Sequence, residues 1–276
     1  MALNVENLTV YYQTLSGDVH ALEHASFRLA DGEIMGLAGE SGCGKTTLGH
    51  SLIVLFPPMK YISGRVEVDG EEIPIWDSEK MNTYRFRRIS LIPQYAMNAM
   101  NPIRKIGKMV GELLEARGVD YKDMLPELKR RLDLVALPHE VLNMYPIELS
   151  GGMKQRAVMA IATSLSPKVI VADEPTSALD VVVQRQVMQT LGRLQEGLGA
   201  AVVLIGHDMG LIAQFADTVG VMYAGRLVEI GPVAAMIGAP RHPYTRLLID
   251  SLPGIDVKRR LTGIPGLPPP LVKLPT

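Results

Sequence analysis

The stretch Gly39-Glu40-Ser41-Gly42-Cys43-Gly44-Lys45-Thr46-Thr47 sets three glycines, a lysine and two threonines within nine residues. With so little side chain, its chemistry must lie in the backbone. Glycines let successive N–H groups turn inward, and a helix that starts there adds unsatisfied N–H groups and a positive dipole end. The spacing Gly39-x-x-x-x-Gly44-Lys45-Thr46 is the pattern of a phosphate-cradling P-loop when a strand precedes it and a helix follows. Lys45 then reaches the β- and γ-phosphates, the Thr46 hydroxyl ligates Mg²⁺, and Ser41, Gly42 and Thr47 complete the lining. Cys43 fills a variable position as a small side chain. A second stretch, Val169-Ile170-Val171-Ala172-Asp173-Glu174, is an apolar run ending in two acids. Asp173 at such a strand end can hold Mg²⁺, and Glu174 can polarise an attacking water, so the two stretches together point to hydrolysis of a bound phosphate ester. A third, Leu149-Ser150-Gly151-Gly152-Met153-Lys154-Gln155-Arg156, joins a helix-capping serine to two bare glycines and the first N–H groups of a helix, which makes a second anion site.

These residues need elements to hold them. Ile34 to Leu37 is a short apolar run feeding the glycine loop, and Lys45 to Phe56 reads as a helix stopped by Pro57 and Pro58. Similar runs at Val169–Ala172 and Ala200–Ile205 end in polar residues, while Val158, Ile161, Ala162 and Leu165 recur at helical spacing before Ser166-Pro167. Strands and helices taking turns predict an α/β core around a mostly parallel sheet. The first 30 residues and Gly64–Ile73, with turns at Ser16-Gly17, Asp31-Gly32 and Asp69-Gly70, predict an antiparallel β layer. Helical patterns between about 97 and 165 predict an inserted helical subdomain. Beyond Gly238 an extended appendage is expected, because six prolines fall between Ser251 and Thr276.

Composition bounds the reading. With 47% hydrophobic and 21% charged residues over 276 positions the chain can bury a real core. Lys plus Arg number 28 against 29 Asp plus Glu, so no global positive field gathers nucleic acid. The single cysteine excludes an internal disulfide and suits a reducing compartment. No apolar run nears the roughly 20 residues that span a bilayer, and the N-terminus carries no secretory pattern. A soluble protein inside the cell is expected.

The third stretch closely resembles the signature sequence of ATP-binding cassette (ABC) ATPases, and further motifs follow in that family's order. The resemblance implies the α/β P-loop NTPase (RecA-like) fold of the ABC type. It implies ATP and Mg²⁺ as ligands, and a trans role in which Ser150, Gly151, Gly152 and Gln155 face nucleotide held by a second, homologous or identical ATPase subunit. Gln94 resembles the glutamine that touches Mg²⁺ and the attacking water while sensing the membrane partner. Ser177-Ala178-Leu179-Asp180 resembles the D-loop that crosses the dimer interface, and His207 the switch histidine at the γ-phosphate. Tyr12 resembles the aromatic on which adenine stacks, with Tyr11 as the competing candidate. The resemblance covers residues 1 to 240 as an ATPase domain, leaving 241 to 276 as a proline-rich extension, and Glu174 is intact, so an active hydrolase is expected.

Within the family, Asn98-Ala99-Met100-Asn101-Pro102, Arg241-His242-Pro243-Tyr244-Thr245 and Ile264-Pro265-Gly266-Leu267-Pro268-Pro269 look like the ATPase subunits of oligopeptide, dipeptide and nickel importers, some of whose relatives carry oligosaccharides. That implies two transmembrane permease subunits, an extracytoplasmic solute-binding protein, no nucleic acid, and a place on the cytoplasmic face of the membrane. Two departures stand out. Tyr95-Ala96 replaces a common Asp-Pro pair. The sequence also ends at Thr276, before the cysteine cluster that usually builds an iron–sulfur centre, so this chain as given cannot form one; it is either a shortened piece or a member lacking that centre. Asn98, Asn101 and nearby methionines are candidates for the groove that receives the membrane subunit, with Met97 and Met100 as ordinary core the alternative. A soluble ABC ATPase of repair or translation is the rival reading. It is disfavoured because the stretch between the P-loop and the signature lacks sustained heptads and there is one P-loop. A regulatory subunit that never hydrolyses is the other.

Overall fold

The computed structural model describes residues 1–15, 17–94, 100–251, 269 and 271. Among them, ten strands form two sheets. The larger runs β10-β9-β3-β8-β7-β6, where β3 is Ile34–Ala38, β6 Ile89–Ile92, β7 Val169–Asp173, β8 Ala201–Ile205, β9 Thr218–Tyr223 and β10 Arg226–Pro232. Its pairs are parallel except for β9 with β10, which are antiparallel. The smaller sheet, β2-β1-β4-β5, is antiparallel and uses β1 Leu3–Thr14, β2 Gly17–Leu29, β4 Met59–Val68 and β5 Glu71–Glu72.

The near-continuous apolar runs have the composition expected of parallel strands covered on both faces. Alternation sends their side chains two ways. Val169, Val171, Val203 and Ile205 join the core beneath the antiparallel sheet. Ile170, Ala172, Val202 and Leu204 join a second core that includes residues of α3 (Ile106–Glu115), α4 (Tyr121–Leu134), α5 (Gly151–Ala162) and α6 (Val181–Leu198). Asp120, Ser150 and Asp180 cap α4, α5 and α6 by accepting backbone N–H bonds, so each of these helices starts at an Asp or Ser as capping chemistry requires.

Three boundaries differ from the sequence reading. Helix α1 is Lys45–Ser51, not Lys45 to Phe56. It closes when the N–H groups of Ile53 and Val54 both turn back to the His50 carbonyl, at 2.9 and 2.7 Å, and buried Ile53 packs into the core under the antiparallel sheet. Strand β4 begins at Met59, ahead of Gly64. The segment past Gly238 is not simply extended, because α9 is a helix, Pro243–Asp250. Its proline stands at the first helical position, where the missing N–H is not needed, and His242 caps it. The extended, proline-rich end expected from Ser251 lies almost wholly outside the described residues, as do Tyr95, Ala96, Met97, Asn98 and Ser16.

Candidate active site

Strands β3, β6, β7 and β8 run parallel, so their carboxyl ends share one edge of the sheet, where open α/β folds bind ligands. The glycine loop leaves β3, Gln94 follows β6, Asp173 and Glu174 end and follow β7, and His207 follows β8. Residues spread along the chain from Gly39 to His207 thereby meet.

The loop is held bare by contact. Gly44 has φ +106°, and a Cβ there would sit 2.4 Å from the Ala21 carbonyl oxygen. Gly39 has φ +143°, and a Cβ would meet the Met222 carbonyl oxygen at 2.2 Å. Only glycine fits either place. Gly44 also gives α1 no side-chain cap, so the first N–H groups of that helix keep no side-chain acceptor and face outward for an anion. The buried Lys45 ammonium donates to the carbonyls of Gly39 (2.8 Å) and Glu40 (2.9 Å).

A cavity of about 320 Å³ opens over this floor, lined by Ser41, Gly42, Gly44, Lys45, Thr46, Thr47, Tyr12, Glu174 and His207, with Val19, Ala21 and Leu271 on its remaining wall. Tyr12 donates or accepts a hydrogen bond with Thr47 at 3.1 Å, whereas Tyr11 points to the opposite face of β1 and stacks on His20 at 4.0 Å. Gly39 itself does not line the cavity; its carbonyl anchors Lys45 instead.

One carboxylate gathers the edge. Gln94 Nε2 donates to Glu174 Oε2 at 2.7 Å, the Ser177 hydroxyl donates to the same oxygen at 2.9 Å, and His207 Nε2 contacts Oε1. Glu174 has φ +45°, a conformation uncommon for a residue with a side chain, and its N–H is tied to the Ile205 carbonyl. Next to it Asp173 is fully buried. Its Oδ1 accepts from the Thr46 hydroxyl at 3.3 Å. Its Oδ2 approaches His50 Nε2 at 3.1 Å without hydrogen-bond alignment, which leaves a buried carboxylate oxygen with no aligned donor. An oriented but unsatisfied carboxylate beside a threonine hydroxyl fits Mg²⁺, which usually takes one or two protein oxygens together with phosphate and water.

The signature stands elsewhere. Ser150 caps α5 through the Met153 N–H at 3.3 Å, and neither it, Gly151 nor Gly152 lines the cavity. Gly152 packs on the start of α6, where a Cβ would come 2.8 Å from Val183. Asp180 caps that same helix through the Val183 N–H at 3.0 Å, so signature and D-loop share one surface. Gln155, one turn on from Gly151 along α5, is buried at 4% exposure.

Sequence reasoning missed Ser177 as a partner of Glu174, His50 beside Asp173, and the wall formed by Val19, Ala21 and Leu271. Helical spacing from Thr46, one turn earlier, could have suggested His50; nothing local marks Leu271, whose carbonyl accepts the His20 N–H at 2.9 Å across the fold.

The ABC transporter family model matches residues 22–177, and that of the oligopeptide/dipeptide transporter C-terminal region matches 228–276. The chain belongs to the ABC transporter family. Within it, this chain is an ATPase subunit. It is 40% identical over 279 residues to the dipeptide transport ATP-binding protein DppD of Bacillus subtilis, covering 99% of this chain and 83% of that one. It is 39% identical to the oligopeptide transport ATP-binding protein OppD of Salmonella typhimurium, again over 99% of this chain and 83% of the relative. Among solved ABC structures, the dimeric post-hydrolysis state of the cassette MJ0796 bound to ADP and Pi superposes with a TM-score of 0.71 at 25% identity, covering 84% of this chain and 98% of that one. The CbiO1 cassette of Clostridium perfringens gives 0.74 at 25% identity, covering 86% and 91%.

Proposed function

We propose that this chain hydrolyses ATP to drive an importer of oligopeptides, dipeptides or related solutes, working on the cytoplasmic face of the membrane. Its partners are a second ATPase subunit, two permease subunits and an extracytoplasmic solute-binding protein. The observation that carries the reading is the Glu174 carboxylate, held by Gln94, Ser177 and His207 at the wall of a cavity floored by the P-loop. Residues 1–240 are the ATPase domain, with the helices between β6 and β7 as its insert, and 241–276 the extension.

Each residue has a task. Lys45 and the free N–H groups of α1 bind the phosphate chain, with Ser41 and Gly42 at its rim and Thr47 beside them. Tyr12 offers its ring to the base, since stacking needs a flat face. Thr46, Asp173 and Gln94 hold Mg²⁺, which when bound neutralises charge on phosphate oxygens. Glu174 takes the proton of the attacking water, while Gln94, Ser177 and His207 fix its orientation. Ser150, Gly151 and Gly152, with the N–H groups that open α5, meet the γ-phosphate of nucleotide held by the partner subunit, and Asp180 lies in the same contact surface. Closure on ATP and release after hydrolysis then move the permeases. An apolar cavity of about 420 Å³, lined in part by Pro93, Phe86, Met100, Met109 and Leu113, adjoins Gln94 and suits the membrane subunit. Met100 is core and lines this groove at once, and the exposed Asn101 side chain accepts the Ile103 N–H at 3.1 Å.

Steady-state phosphate release by the reconstituted complex tests the proposal. Glu174→Gln should cut turnover roughly 10²- to 10⁴-fold, the share a general base contributes. Stimulation by a peptide-loaded binding protein, and not by nickel or an oligosaccharide, fixes the cargo class. Turnover equal to that of the unchanged protein rejects Glu174 as the base.

A further inference from the structure

The extension that follows β10 reaches the P-loop from behind. The hydroxyl of Tyr244, on α9, accepts the N–H of Glu40, the second residue of the loop, at 3.0 Å. The carbonyl of Glu40 in turn accepts from Lys45 at 2.9 Å. One residue of the loop is thus gripped on both sides, by the phosphate-binding lysine and by a side chain 204 positions away in sequence.

From this geometry we propose that Tyr244 is a positioning residue for the nucleotide cradle, so that the C-terminal region sets ATP affinity by holding the Glu40 peptide. The inference rests on the P-loop reading above and adds a role for the Arg241-His242-Pro243-Tyr244-Thr245 segment, which that reading leaves unused.

The brace is built into the sheet that feeds the loop. Tyr244 is 6% exposed, and its ring lies 4.5 Å from that of Tyr223, the last residue of β9. Strand β9 pairs directly with β3, which enters the loop. The start of α9 is fixed to β10, because the N–H groups of Arg241 and His242 donate to the Glu229 carboxylate at 2.8 and 3.0 Å. The His242 ring then accepts the Tyr244 N–H at 3.2 Å. Burial pushes the Tyr244 phenol up to about 12, so the hydroxyl keeps its proton through the neutral range.

The physical consequence is preorganisation. Lys45 is aimed by two carbonyls, and one of them, that of Gly39, shares a rigid peptide plane with the Glu40 N–H and turns with it. Without the phenol, the half-buried Glu40 N–H loses its acceptor and the Gly39–Glu40 peptide is free to rotate. A loop that is competent for only part of the time binds its ligand more weakly by that fraction.

Tyr244→Phe removes the hydroxyl and keeps the ring on Tyr223. In the full chain, Mg·ATP binding by calorimetry should weaken about three- to tenfold, the equivalent of one neutral hydrogen bond. In the reconstituted complex KM for ATP should rise while kcat stays, and the Glu40 amide should exchange hydrogen faster. A role confined to folding would lower the melting temperature and leave the affinity of the folded protein untouched; that result, or affinity within about twofold of the unchanged protein by the same conversion, overturns the proposal. Should Tyr244→Phe not fold, Glu229→Ala loosens the start of α9 without touching the loop. It should shift ATP affinity in the same direction, and no shift overturns the proposal as well. Lys45→Ala measured alongside separates the two readings. If it binds ATP normally, the P-loop assignment fails. If it is defective while Tyr244→Phe is not, only the brace fails.

Discussion

The two surfaces proposed to meet phosphate are built on opposite plans. At the carboxyl edge of the large sheet, the P-loop, Gln94, Asp173, Glu174 and His207 arrive from four parallel strands and interlock through hydrogen bonds within one subunit. At the start of α5, Ser150 satisfies one N–H of its own helix and borders no cavity shared with the loop. Both have a helix start that could face an anion, but the first also has a lysine, a carboxylate and an aromatic ring beside it. Under the function proposed above, the second surface is half a site, its missing half supplied by another subunit's nucleotide.

Substitutions that damage one surface and spare the other sharpen that contrast. The largest effect belongs to Glu174→Gln, whose turnover should fall about 10²- to 10⁴-fold with ATP affinity of the single subunit little changed, read by phosphate release and calorimetry. Next is Lys45→Ala, which removes an ammonium from the phosphate floor. ATP affinity should drop about ten- to a hundredfold, matching the roughly 1.5–3 kcal/mol of hydrogen bonds to a charged group. Equal nucleotide binding by that variant would break the comparison at its first term.

Smaller effects probe the supports. Tyr244 titrates near 12 in the fold against about 10 when unfolded, so its contribution is fully present below pH 10 and is lost as pH rises through 12. Between pH 9 and 11 the unchanged protein should lose about 1 kcal/mol more stability in urea than Tyr244→Phe does. Ser150→Ala should lower stability by roughly 1 kcal/mol through its lost cap. It should leave ATP binding by the isolated subunit unaltered and slow turnover only when two subunits are assembled. Weakened binding by the single subunit would mean that the two surfaces are not separate.

Much of the cradle was legible in the sequence because its constraints are local. A strand, a loop whose glycines no other residue can replace, and a helix lie consecutively, and the acidic pair ends an apolar run. Helix α5 was legible for a similar reason, since Ser150 and the periodic apolar residues mark its start and face. What escaped is nonlocal. Ser177 and His50 matter only once Glu174 and Asp173 are placed, and Tyr244 and Leu271 reach the site through folds of more than 200 residues. The early stop of α1 escaped because Pro57 looked like the natural breaker, whereas the chain turns sooner, where the Ile53 and Val54 N–H groups both close on the His50 carbonyl. The burial of Gln155, which lies on the face of α5 that Gly151 opens, was not legible in the signature pattern.

The most direct test is a structure of the Glu174→Gln assembly loaded with ATP and Mg²⁺. The account predicts that the Ser150 hydroxyl and the N–H groups of Gly151 and Gly152 lie within hydrogen-bond distance, about 3.5 Å at most, of a γ-phosphate held by the partner's P-loop. An ATP-loaded, closed assembly in which that turn stays remote from every γ-phosphate would contradict it.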